Sequence, residues 1–73
     1  MLNQSTLEAI FAYIESYIAE HNYAPNYREI GFMYDLSTSQ VKRHLLELRR
    51  QGKIDFSYNV ARSIHVIEGK YHA

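Results

Sequence analysis

The chain has 73 residues, enough for one small domain, of which 47% are hydrophobic and 22% charged. That balance is typical of a globular protein, and the lack of cysteine excludes disulfides, cysteine-ligated zinc and thiol catalysis. The apolar runs are too short to span a membrane, and the first residues lack the pattern of a secretory signal. We therefore expect a single cytoplasmic domain over residues 1–73, with its core at about 5–67.

The net charge is zero, but it is unevenly distributed along the chain. Residues 1–36 carry one cation and five anions, a net charge of −4, whereas residues 37–53 carry five cations and one anion, a net charge of +4. Such a basic block is either a solvated helix face or a surface for nucleic acid, and composition favours neither.

The first helix is predicted at about Thr6–His21. Ser5 and Glu8 have the spacing of a capping box, and apolar side chains then recur at helical intervals. Because the outward face carries glutamates, this helix is expected to be scaffold. The residues of the buried stripe are Leu7, Ile10, Phe11, Ile14 and Ile18.

The second helix is predicted over residues 27–34, with Asn26 as N-cap and Glu29 completing a capping box. It should bury Ile30 and either Met33 or Tyr34. Asp35 follows where the chain must turn, since aspartate tolerates left-handed torsions. Upstream, residues 23–24 are a candidate for a short strand.

The third helix is predicted at about 38–51, ending at Gly52, because Ser37 and Gln40 form another capping box. Its buried stripe is Val41, Leu45 and Leu48. At 100° per residue the opposite face holds Ser39, Arg43, Leu46 and Arg50, with Lys42 and Glu47 flanking it.

After Gly52 the apolar period changes from 3.6 to 2, which indicates strands. One run alternates through Ile54, Phe56 and Tyr58, and a second through Ile64 and Val66, with residues 59–61 between them. Such a pair predicts an antiparallel hairpin. Three helices followed by a hairpin predict an α+β winged helix-turn-helix fold.

The start of the third helix suits double-stranded DNA, because short polar side chains and free amides there can approach bases and phosphates. Arg43 is placed for a bidentate contact to guanine, and Gln40 for adenine. Lys42, Arg49, Arg50 and Lys53 suit backbone phosphates. Leu46 is either an ordinary surface residue or a contact to a thymine methyl group.

The hairpin tip carries one cation, Arg62. It either reaches a phosphate or the minor groove, or forms an ion pair with Asp55 across the hairpin.

Several segments together resemble the DNA-binding domain of LexA-type repressors: NYAPNYREIG at 22–31, LSTSQV at 36–41, His44-Leu45, Leu48, Gly52-Lys53-Ile54 and ARSI at 61–64. The match covers about residues 5–67. It implies a winged helix whose third helix reads the major groove. By alignment, the reading positions are Ser39, Gln40, Lys42 and Arg43, with Arg28 and Arg62 contacting the DNA backbone.

The sequence departs from the family pattern in three respects. Asp35 stands where the family usually has glycine, and the segment 36–41 looks one residue shorter. The family's second domain, which dimerises the protein and carries a Ser-Lys self-cleavage dyad, is not expected in this sequence. Damage-response regulation and the family's operator are therefore not inferred.

The function expected is a sequence-specific DNA-binding transcriptional regulator, a repressor, encoded by a prokaryote, virus or mobile element. We expect no enzyme activity, cofactor or metal, since the four histidines lack ligand spacing and no catalytic motif is present. A homodimer on a pseudo-palindrome is expected, because one such module buries only about 600–1,000 Å². The predicted DNA-contacting residues are Ser37, Thr38, Ser39, Gln40, Lys42, Arg43, Arg50, Lys53, Arg28 and Arg62.

Two other functions stay open. The zero net charge mildly favours a winged-helix protein-interaction module, whose acidic surface on the first two helices would dock a basic partner. An RNA-binding winged helix is a weaker alternative.

Overall fold

Three helices precede a two-stranded antiparallel sheet in the computed structural model, which describes residues 2–58 and 60–67. The elements are α1 Gln4–His21, α2 Tyr27–Tyr34, α3 Thr38–Arg50, β1 Ile54–Asp55 and β2 His65–Val66. This order confirms the predicted winged helix-turn-helix. Among the described residues, none of the helices combines the length and apolarity needed to cross a membrane.

The first helix begins earlier than predicted. Asn3, not Ser5, is the N-cap, and its Oδ1 accepts from the backbone amides of Ser5 at 2.7 Å and Thr6 at 3.3 Å. The predicted capping box was wrong, because asparagine caps as well as serine does and an earlier start gains further intrahelical hydrogen bonds. The helix ends at His21, and the next residue, Asn22, is its C-cap with a left-handed φ of 64°.

The second helix confirms its predicted bounds and its capping box. Glu29 Oε1 accepts from the backbone amide of Asn26, and Asn26 Oδ1 accepts from that of Glu29, both at 2.8 Å. Ile30 is fully buried, and of the two alternatives it is Tyr34 that packs inward, donating its hydroxyl to Ala9 O at 3.0 Å. Met33 stays exposed.

The turn between α2 and α3 uses Asp35 as predicted, at a φ of 57°. Ser37 then caps α3 with the predicted partner Gln40. The helix ends at Arg50, and Gly52 takes a φ of 80° just beyond it. The predicted stripe of Val41, Leu45 and Leu48 is buried.

The predicted strand at residues 23–24 was wrong. That segment is irregular, and the carbonyl of Ala24 accepts from Arg62 Nη1 at 2.9 Å instead of pairing in the sheet. Within residues 2–58 and 60–67 the sheet is shorter than predicted, since it pairs only Ile54 with Val66 and Asp55 with His65.

The hairpin beyond these pairs is closed by side chains. Ser63 Oγ accepts from the amide of Ser57 at 2.9 Å and donates to its carbonyl at 3.0 Å. Ile54, Phe56 and Ile64 point into the core as the alternation predicts, whereas Tyr58 is exposed. Position 59 of the predicted turn lies outside the described residues.

The core lies where α1, α2 and α3 meet the base of the hairpin. Its buried hydrophobic residues are Leu7, Ile10, Ile14, Ala24, Ile30, Val41, Leu45, Leu48, Ile54, Phe56 and Ile64.

Candidate nucleic-acid interface

The N-terminal turn of α3 is an exposed polar surface. Thr38, Ser39 and Gln40 are all exposed. The capping box engages part of this set, because Gln40 Oε1 accepts from the amide of Ser37 at 2.8 Å and Ser37 Oγ accepts from that of Gln40 at 3.1 Å. Gln40 therefore holds the helix start with its carbonyl oxygen, and its amide nitrogen has no hydrogen bond to any described residue.

Arg43 lies on the same exposed face, and among residues 2–58 and 60–67 its guanidinium has no hydrogen-bond or ion-pair partner. Leu46, the next residue along this face, is half-buried and packs against the core. Arg43 is thus a cation held by a rigid helix and left accessible to a ligand.

His44 is not on this face. It is 7% exposed, and its Nδ1 lies 2.7 Å from Gln40 O, one turn back. His44 therefore belongs to the buried side of α3, next to Leu45 and Leu48.

Lys42 lies between two tyrosines at the junction of α2, α3 and the hairpin. Its Nζ is 5.7 Å from the ring centre of Tyr27 and 6.0 Å from that of Tyr58. The Tyr27 hydroxyl donates to Tyr58 O at 3.4 Å, which links the start of α2 to the hairpin. Burial raises the pKa of Tyr27, so its hydroxyl stays protonated as a donor. From the sequence, Tyr27 and Tyr58 are either contacts to sugar-phosphate or a cover for the core, and their spacing of 31 residues does not predict that they meet around Lys42.

The two arginines that end α3 have different partners. Arg50 forms a bidentate ion pair with Glu47, whose Oε1 accepts from Nε at 2.9 Å. This pair lowers the pKa of Glu47 to about 2. Arg49 instead donates to Phe56 O at 3.1 Å and lies over the Phe56 ring at 4.8 Å. Arg49 thus joins α3 to the hairpin.

Lys53 follows α3 and lies near α1, with its Nζ 5.4 Å from the ring centre of Phe11. It is half-buried, as Lys42 is, whereas Arg28 at the start of α2 is exposed.

Arg62 does not pair with Asp55, so that alternative was wrong. Its Nη1 lies 3.0 Å from Glu29 Oε1 and its Nη2 lies 3.2 Å from Oε2. Asp55 instead lies 4.0 Å from Arg49 Nη1. The arginine lowers the pKa of Glu29, together with the hydrogen bond from the amide of Asn26.

A groove of about 490 Å³ separates the start of α2 from the hairpin. It brings together three predicted site residues from separate elements: Arg28, Thr38 and Arg62. Arg43 lies outside it, as do Gln40 and Lys53. The predicted residues therefore form two neighbouring areas, the exposed face of α3 and this groove.

The helix pair, the basic second helix of that pair and the hairpin define a winged helix-turn-helix domain of the DNA-binding class. The family model of the LexA DNA binding domain matches residues 4–63. The chain therefore belongs to the LexA DNA-binding domain family, and membership indicates sequence-specific binding of double-stranded DNA. A search of curated proteins found no match to the chain.

Proposed function

We propose that this domain is a transcriptional repressor that inserts α3 into the major groove of its operator and lays the hairpin against the adjacent backbone as a wing. The observation that carries the proposal is Arg43, an accessible guanidinium on the exposed face of α3, one turn after a polar N-terminus. A guanidinium so placed suits the O6 and N7 acceptors of guanine, the commonest specific contact in the major groove.

The remaining base contacts would come from the first turn of α3. Ser39 has a hydroxyl that can pair with several bases, and Thr38 is exposed beside it. Gln40 would need both amide atoms for adenine, while its oxygen already caps the helix. We therefore assign more of the sequence preference to Arg43 than to Gln40.

Phosphate contacts would flank this surface. The cations Arg28 at the start of α2 and Lys53 beyond the end of α3 would supply such contacts, together with the hydroxyl of Ser37 at the N-terminus of α3. Lys42, beside Tyr27 and Tyr58, and Arg50, beside Glu47, would add positive charge near the phosphates. Contacts of this kind give affinity and orientation with little sequence information.

We further propose that two copies bind a pseudo-palindrome. One module of this size buries only about 600–1,000 Å² on DNA, and a second copy doubles the contact. Sedimentation of the complex on an isolated operator should show two chains per duplex. One chain on a single half-site would exclude the dimer and leave the DNA-binding proposal standing.

A second candidate function has one observation in its favour. Phe32 is 91% exposed and Met33 53% exposed, and they line a shallow groove of about 400 Å³ with Tyr13 and Tyr17. Contiguous exposed apolar surface marks protein interfaces, and α1 beside it is acidic. A module that docks a basic protein through α1 and α2 would lose its partner in Phe32→Ser, and its DNA affinity would not change.

The experiment that separates the two functions is the salt dependence of binding to a mixed-sequence duplex. A surface that neutralises about four phosphates gives a slope of log affinity against log salt near −3.6. A slope close to zero would contradict the DNA proposal and favour the protein partner. Backbone amide shifts, mapped by NMR during the same titration, should concentrate at the start of α3 and spare the exposed face of α1.

A further inference from the structure

Arg62 connects the hairpin to three other parts of the chain. Its Nη1 lies 3.3 Å from the Tyr17 hydroxyl in α1, 2.9 Å from Ala24 O in the loop before α2, and 3.0 Å from Glu29 Oε1 in α2. Its guanidinium also stacks on the Tyr23 ring, at 4.8 Å. All of these partners belong to this domain.

Glu29 is the centre of this arrangement. Its Oε1 accepts from the Asn26 amide as the helix cap and from Arg62, while Oε2 accepts from the Tyr17 hydroxyl at 3.0 Å and from Arg62. A single carboxylate therefore fixes the start of α2, one side of α1 and the hairpin. The pair is about one-third exposed, so its neighbours partly shield it from water.

The hairpin needs such a connection because its own sheet is minimal. Among the described residues only two pairs form the ladder, and residues 56–58 and 60–64 lie beyond them. Two-stranded hairpins are marginal by themselves and depend on packing for their orientation. Arg62 moreover has a φ of 56°, a left-handed conformation that disfavours a branched or bulky L-residue. A non-glycine residue is held there by its contacts.

We propose that Arg62 is a positioning residue, which together with Glu29 orients the wing against the start of α2, and that it does not itself donate to DNA. The proposal rests on the DNA-binding function above and assigns one of its expected contacts a different role. A phosphate bound by Nη1 would compete with three acceptors within this domain. The hairpin would instead contact the DNA backbone through other residues that line the groove between the start of α2 and the hairpin, and Arg62 would hold the hairpin in the required orientation.

Four variants separate positioning from direct contact. Glu29→Gln keeps an oxygen for the capping box, which accepts glutamine at this position, and removes the charge that holds Arg62. Arg62→Gln removes the cation, and the double variant tests coupling. Arg62→Lys keeps the charge but not the planar fork that fits a carboxylate. Glu15, an exposed residue of α1, provides the control, because Glu15→Gln makes the same charge change as Glu29→Gln.

The first readout is affinity for a mixed-sequence duplex. Positioning predicts that Glu29→Gln and Arg62→Gln each weaken binding by about fivefold, that the double variant is no weaker than either, and that the salt slope does not change. Arg62→Lys should lose nearly as much affinity for the duplex as Arg62→Gln does. Direct contact predicts the reverse: Glu29→Gln binds as well or better, Arg62→Lys is nearly normal, and Arg62→Gln lowers the slope by about 0.9. That result would overturn the proposal.

The second readout uses the protein without DNA. Hydrogen exchange of the Ser57 amide, measured by NMR, reports on the hairpin beyond the sheet, and that of Ile67 reports on its base, where its amide donates to Lys53 O at 3.0 Å. Glu29→Gln should speed exchange at Ser57 by about fivefold and leave Ile67 unchanged. Unchanged exchange at Ser57 would overturn the positioning role. If the native protein bound no duplex, the proposed function would fail and this second readout would still decide the role of Arg62.

Discussion

Glu47 and Arg50 lie one turn apart on α3, and the carboxylate accepts two hydrogen bonds from the guanidinium, with Nε at 2.9 Å from Oε1. Glu47 is the one acidic residue in the segment 37–53, which has a net positive charge. A cation of the proposed DNA surface is therefore neutralised within the protein itself. This pair sets how much positive charge α3 presents to a phosphate backbone.

Glu47→Gln should tighten DNA binding. The substitution removes a negative charge from the proposed interface and frees Arg50, so affinity for a mixed-sequence duplex should rise by about threefold at low salt. The salt slope should become steeper by up to about 0.9. The matched control is Glu15→Gln, which makes the same charge change on α1. Equal gains in both variants would mean that overall charge, and not this pair, is responsible.

The same carboxylate should contribute to acid sensitivity. The pKa of Glu47 falls from its usual value of 4.5 to about 2 in the folded protein, and the pKa of Glu29 is also lowered. A group with a lowered folded pKa stabilises the protein fully above its unfolded pKa, and this stabilisation is lost as pH falls toward the folded pKa. The melting temperature should therefore drop between about pH 4.5 and pH 2.

Glu47→Gln should flatten that decline, because its side chain no longer titrates. Thermal unfolding followed by circular dichroism at a series of pH values measures the effect. A decline as steep in Glu47→Gln as in the native protein would show that the ion pair with Arg50 does not contribute to acid stability.

Substitutions of Arg43 and Lys53 should differ in their effects on the affinity for operator and for random DNA. Arg43→Glu should abolish preference for the operator, since it removes the proposed guanine contact and adds repulsion. Lys53→Ala should weaken specific and random duplexes by the same factor, because a phosphate contact carries little sequence information. Competition assays with both kinds of duplex measure the ratio. Equal effects of Arg43→Glu on the two duplexes would contradict its role in reading bases.

Gly31→Ala should destabilise the fold, although alanine is the better helix former. A Cβ at this position would lie 2.5 Å from Leu36 O, and backbone atoms there cannot move aside without opening the turn between α2 and α3. Overpacking of this kind costs about 1–3 kcal/mol, against a gain of up to about 1 kcal/mol from helix propensity. Urea unfolding measures the balance, and a net gain in stability would contradict the close packing.

Gly52→Ala offers a contrast to that variant. No atom of the described part of the chain lies within 4 Å of a Cβ there, but the φ of 80° is left-handed. Gly52→Ala should lower the free energy of unfolding by about 1–2 kcal/mol, and this loss comes from backbone strain alone.

Local rules predicted much of this fold. Each capping box of α2 and α3 joins two residues that are three positions apart in the chain. The stripe of Val41, Leu45 and Leu48 follows from helical spacing. Sequence alone therefore identifies the boxes and the stripe. Asn3 was missed because two good capping residues compete at the start of α1. The choice between them depends on how much further the helix can extend.

The part that sequence could not predict involves contacts between distant residues. The pairing of Arg62 with Glu29 joins positions 33 residues apart, whereas Asp55 was the nearer candidate on the opposite strand. The stacking of Lys42 between Tyr27 and Tyr58 likewise depends on how α2, α3 and the hairpin meet. Predicted cations therefore divide into accessible ones, such as Arg43, and ones already bound within the domain.

The measurement that tests the central claim most directly is selection of binding sites from a pool of random duplexes at near-physiological salt, followed by sequencing. The proposed function predicts an enriched motif, arranged as an inverted repeat whose half-sites are about one helical turn or a multiple of it apart. The motif should contain a guanine at which Arg43→Ala loses preference. A pool that stays random after several rounds, with the native protein folded, would contradict sequence-specific binding by this domain.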